Sequence, residues 1–143
     1  MAQATADFDS VAVGDTLGPV DYPLQRMNLI MYCGASGDFN VIHWNERIAT
    51  AVGLPNVIAH GMLTMAEAGR LLTDYAGDPS RVIEYGVRFT KPVVVPDDDK
   101  GTVVTVSGVV AAKNDDGTIA VNLSATANGT EVLGKAQGII KLR

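Results

Sequence analysis

An α+β fold, one long buried helix with a curved antiparallel sheet wrapped over it, is predicted by three features of the sequence. Residues 61–76, GMLTMAEAGRLLTDYA, are apolar around most of a helical circumference, as in a helix enclosed by other structure. After Asp78-Pro79 the hydrophobic period changes from helical to two and stays there to the last residues. Within that half, Asp116-Gly117 and Asn128-Gly129 are hairpin turns, so the strands they join run antiparallel.

From the start, Asp9–Gly18 reads as a lead-in segment with a turn at Gly14-Asp15, and residues 19–24 as a short extended piece. Gln25–Gly34 has apolar residues at Met27, Ile30, Met31 and Gly34, close to helical spacing, which predicts a helix. A polar loop, Ser36–His43, follows. Asn45 is placed to cap a short helix over 46–52 that ends at Gly53, with Pro55 beyond it. In the long helix Gly69 costs roughly 1 kcal/mol against alanine, a cost that close packing against a sheet would offset. Strands are predicted over 83–89, 102–112, 119–127 and 131–142.

The 143 residues suit a single domain, 1–143, with a core large enough to fold alone. Eleven Lys and Arg against sixteen Asp and Glu give a net charge of −5, without the basic surplus of a nucleic-acid binder. One cysteine, Cys33, excludes an internal disulfide and fits a reducing compartment. The opening MAQATADFD has no basic start followed by an apolar run, and no stretch reaches the ~18 apolar residues of a membrane span. A cytoplasmic protein is the expectation. The two histidines and lone thiol lack zinc spacing, and no glycine-rich phosphate loop is present.

The chemistry concentrates in SGDFNVIH, residues 36–43. Asp38 and His43 there make an acid/base pair on a loop, where catalytic groups tend to sit. Without a nucleophile elbow, they suit proton transfer better than acyl-enzyme chemistry. Immediately before the long helix stands Ala59-His60-Gly61. A helix start offers unpaired N–H groups, and at Gly61 or Met62 these can hold a carbonyl oxygen as charge builds on it. Together these features suggest proton removal beside a carbonyl, the chemistry of adding or removing water across a double bond. Plainer roles stand beside these. Asp38 and Asn40 also form turns by bonding their own backbone. His43 suits a structural role equally, His60 capping or packing, Cys33 an inert core thiol, and Trp44 packing. Glu67 and Arg70 are spaced to pair on the helix, and Arg88 and Lys91 to be solvated.

Tyr32–Ala49, YCGASGDFNVIHWNERIA, resembles the hydratase-2 motif of the MaoC-like (R)-specific enoyl hydratase/dehydratase family. That motif is an aromatic residue, Ser-Gly-Asp-x-Asn-Pro-Ile/Leu-His, five residues and a small one, here Ala49. The resemblance continues through Ile58–Thr64 and Tyr85–Phe89. It implies a hot-dog fold, reversible hydration or dehydration of (3R)-hydroxyacyl and trans-2-enoyl thioesters carried by acyl carrier protein or CoA, and no metal or other cofactor. It further implies Asp38 and His43 as catalytic residues, Asn40 as support for the loop and substrate site, and Gly61 as the residue whose N–H holds the thioester carbonyl. A dimer is implied, either homodimer or heterodimer with a related subunit. The motif's proline is Val41 here, which removes a restraint on the loop. A subunit that only binds an acyl chain is a competing expectation. So is a thioesterase, for which Glu67 is the available acid.

Overall fold

The computed structural model describes residues 6–143. Residues 1–5, part of the stretch read above as lacking a leader, lie outside them. The element order is β1 (Thr16–Leu24), α1 (Arg26–Ser36), α2 (Glu46–Ala51), α3 (Gly61–Ala76), β2 (Val82–Phe89), β3 (Thr102–Lys113), β4 (Thr118–Ala127), β5 (Thr130–Glu131) and β6 (Leu133–Lys141). Short 3₁₀ turns lie at Phe8–Ser10, Val41–His43 and Pro79–Arg81. The sheet is antiparallel throughout, ordered β1-β3-β4-β6-β2, with β5 paired to β4. Among the described residues no helix is long and apolar enough to cross a membrane.

α3 spans the residues its sequence predicts and lies in the concave face of the sheet, with Ala68, Leu72 and Ala76 fully enclosed. Two glycines set how closely helix and sheet approach. A β-carbon at Gly69 would fall 3.0 Å from Cε1 of Tyr85 on β2, and one at Gly138 on β6 would fall 2.3 Å from Cδ1 of Leu72. Tyr85 also donates its hydroxyl hydrogen to the Met65 carbonyl at 2.8 Å, tying β2 to the helix. Asn128 and Gly129 both take positive φ, as a two-residue turn of this hand requires.

Two boundaries differ from expectation. β1 begins at Thr16 because its first residues already pair with β3, Thr16 opposite Val109. The last predicted strand is two, β5 and β6. The break falls at Val132, just after Glu131, whose carboxylate accepts from the Ala125 N–H at 3.0 Å and the Ser124 hydroxyl at 2.7 Å. α1 buries Leu29 and Cys33, and the apolar stripe that marks the helix in the sequence faces outward, with Met27 64%, Ile30 51% and Met31 64% exposed. Arg26 fixes this rotation. It shares a helix face with Leu29 and Cys33. Its guanidinium donates inward to the Val95 carbonyl at 2.6 Å, Asn56 Oδ1 at 2.8 Å and Glu46 Oε2 at 3.1 Å.

Candidate active site

The polar loop is built by short side chains that bond their own backbone. α1 ends at Gly37 in the left-handed conformation. Asp38 Oδ1 then accepts from the Asn40 N–H at 3.1 Å, and Asn40 Oδ1 from the Ile42 N–H at 3.3 Å, which starts the 3₁₀ turn carrying His43. Asn45 Oδ1 accepts from the Ile48 N–H at 3.1 Å and starts α2. The turn-forming reading of these residues therefore holds together with the site they make.

His43 is buried, and its Nδ1 lies 2.8 Å from the Ile58 carbonyl. A carbonyl only accepts, so Nδ1 carries a proton, and in the neutral ring Nε2 is bare. The ring stacks on that of His60, with centroids 3.8 Å apart and planes 24° from parallel. His60 Nε2 in turn lies 3.1 Å from the main-chain carbonyl of Asp38, so that nitrogen carries its proton. Cys33 Sγ is 3.5 Å from the same nitrogen, and Tyr32 closes the other side, its ring 4.7 Å from that of His60. One carboxylate oxygen of Asp38 and one ring nitrogen of each histidine lie within 4.8 Å of one another. Rings stacked this way hold their lone pairs in two separate, near-parallel planes, whereas a cation needs them to converge.

A cavity of about 370 Å³ opens beside this cluster, lined by His43, Ile58, Gly61, Thr64, Phe89 and Lys91 among others. Gly61 and Met62 begin α3, which has no side-chain cap, so the opening N–H groups lack helical partners. Gly61 has a second reason to lack a side chain, since a β-carbon there would fall 3.1 Å from the Phe89 ring. The structure thus joins His43 and Gly61 around one cavity and sets the exposed Asp38 beside them. Asn40 turns back into its own loop, and the Met62 side chain is exposed and outside the cavity lining. Phe89 and Thr64 were not singled out from sequence as site residues. Phe89 reaches the cavity because β2 pairs with β6, Phe89 opposite Leu133, a pairing no local pattern announces.

Burial holds the His60 imidazole below its ordinary pKa, aided by His43, while the bond to the Asp38 carbonyl and the Asp38 charge act the other way. The Cys33 thiol is pushed up by burial first and the Asp38 charge second. For His60 the unfolded chain binds the proton near the ordinary value of about 6.5 and the folded chain only below it. Between the two, the unfolded state holds more protons, so stability is present at higher pH and is lost as pH falls through that window. Thermal melts at stepped pH will show this loss below about pH 6.5, and His60→Gln will flatten it.

The profile of the MaoC-like domain matches residues 9–128. 3-Hydroxyacyl-thioester dehydratase X of Mycobacterium tuberculosis is 36% identical over 86 residues, 60% of this chain and 27% of that protein. A solved structure described as a MaoC-like dehydratase superposes with a TM-score of 0.93 at 37% identity, covering 97% of this chain and 43% of that one. A chain from the ChsH1-ChsH2 complex of Mycobacterium tuberculosis gives a TM-score of 0.79 at 25% identity, covering 92% and 98%. The chain therefore spans only about a quarter of the curated relative's length. With most of its residues inside the profile and its helix held in the same curved sheet as these structures, the chain belongs to the MaoC-like family and has the hot-dog fold.

Proposed function

We propose that this chain catalyses reversible dehydration of (3R)-hydroxyacyl thioesters to trans-2-enoyl thioesters, with Asp38 and His43 as the catalytic pair and Gly61 and Met62 as the carbonyl-binding turn. One observation carries the reading. His43 lines the cavity at the start of α3 with its Nδ1–H committed to Ile58, so its bare Nε2 is the base. The thioester carbonyl lies against the opening N–H groups of α3, which stabilise the enolate-like charge that develops as the C2 proton leaves. His43 Nε2 takes that proton. The C–H electrons form the C2=C3 bond and the C3–O bond breaks. The proton then passes from the imidazolium to the departing hydroxyl, held by the Asp38 carboxylate, and leaves with it as water. Both groups end as they began. The relatives' names, with 3-hydroxyacyl-thioester dehydratase among them, support this assignment.

Glu67 fits the thioesterase alternative poorly, since Arg70 holds it at 2.7 Å and it does not line the cavity. The deciding measurement is the loss of enoyl absorbance when the purified chain meets crotonyl-CoA, alone and with candidate hot-dog partners. Release of free thiol, or no turnover in any pairing, defeats the proposal.

The chain works as half of a hot-dog dimer, joined through β2. This strand ends the sheet, and its Ile83 and Phe89 are 59% and 54% exposed. An unpaired strand edge with large apolar side chains is a surface that proteins cover. In light scattering coupled to gel filtration, Ile83→Glu will shift the dimer to monomer, and an unchanged dimer mass rules this edge out.

A further inference from the structure

We infer that His60 is a positioning residue for the catalytic pair: through its Nε2–H it ties the Asp38 main chain to the ring of His43 and to the start of α3. The inference rests on the catalytic roles proposed for Asp38 and His43. His60 is 1% exposed, yet it stands at the N-cap of α3 and caps nothing with its side chain. Capping, the ordinary reason for a polar residue at that position, is therefore not its function. Its ring instead lies against Cys33 Sγ at 3.5 Å and makes three further contacts across the site. Nε2 donates to the Asp38 carbonyl at 3.1 Å, one face stacks on His43 at 3.8 Å, and Tyr32 of α1 closes the remaining side at 4.7 Å. Among the described residues Nδ1 is buried without a partner, a cost an apolar packing residue would not incur. A phenylalanine would fill the same space without it, so the donor at Nε2 is what the site retains.

The need for such a tether is local. Val41 occupies the position of the motif's proline, so the chain between Asp38 and His43 lacks that restraint on its backbone. Asp38 is exposed, and its own turn bonds join it only to neighbours within the loop. Of the hydrogen bonds to Asp38, that from His60 crosses 22 residues and brings the loop down onto the helix where the thioester carbonyl is bound. The groups facing His60 are Cys33 and Tyr32 from α1, Asp38 from the loop and His43 from the 3₁₀ turn.

Two substitutions separate donor from ring. His60→Phe keeps the ring stacked on His43 and loses the donor. His60→Gln keeps an amide N–H at the same number of bonds from the backbone and loses the ring. The expected result is a fall in kcat of about a hundredfold for His60→Phe with KM changed little, the scale of a misplaced catalytic group. Recovery of most of that loss is expected in His60→Gln. Full kcat in His60→Phe overturns the inference, and so does an equal loss in both variants. Ring ¹⁵N spectra decide it independently of turnover, because the chain has two histidines and each variant leaves His43 as the only one. The His43 signals and the Asp38 amide will move in His60→Phe and hold in His60→Gln. Signals unchanged in both, or moved alike in both, overturn it. A wild-type chain that turns over no enoyl thioester in any pairing defeats the hydratase reading, and these spectra still judge His60.

Discussion

Asp38→Asn and His43→Gln will each lower kcat for enoyl hydration by about 10²–10⁴-fold, the usual worth of a placed acid or base. Both changes preserve shape and leave the loop's architecture in place. In Asp38→Asn the new amide retains an oxygen to accept from the Asn40 N–H, which lies 3.1 Å from Asp38 Oδ1, and the main-chain carbonyl that receives His60 is untouched. In His43→Gln the new side chain retains an N–H able to donate toward the Ile58 carbonyl, which lies 2.8 Å from His43 Nδ1. What disappears is a charge in one case and a bare, basic nitrogen in the other. Circular dichroism and melting curves should therefore stay near wild type while turnover collapses. The double variant should fall little further than the worse single one, since a proton relay fails once either end is missing. A full rate in either single variant would defeat the assignment.

The largest effect on stability is expected where α3 meets β6. Leu72→Ala will cost about 2–5 kcal/mol, the range for emptying a buried leucine site. Leu72 is fully enclosed, and its Cδ1 occupies the space a β-carbon at Gly138 would enter at 2.3 Å. Gly138→Ala will itself cost about 1–3 kcal/mol or more, because the leucine it meets has nowhere to turn. Combined, the two changes should cost less than their sum, since the new methyl enters the hole the leucine left. Urea unfolding of the four proteins measures the coupling directly, and strict additivity would show that the two residues do not share one space.

The architecture was legible because its signals are local. The all-round apolar α3, the alternating strands and the Asn128-Gly129 turn each declare themselves within a few residues. The polar loop was legible for a related reason, since Asp38, Asn40 and His43 lie close together and build their turn from their own side chains. What local pattern did not give was rotation and long-range pairing. α1 carries two apolar stripes, and the inner one is chosen by Arg26 reaching Val95, 69 residues away. Phe89 enters the cavity wall through a strand pairing made near the end of the chain. His60 resembled a cap from its position, but its side chain caps nothing and instead bonds the Asp38 carbonyl and stacks on His43.

The octapeptide SGDFNVIH is not portable. Its histidine is oriented by Ile58, its aspartate is tethered by a residue 22 positions on, and the helix opposite sits in a cradle of five strands. Grafted onto another scaffold, it would keep its turns and lose its chemistry. Engineers wanting this reactivity elsewhere must transplant the whole sheet-and-helix assembly or rebuild each distant brace.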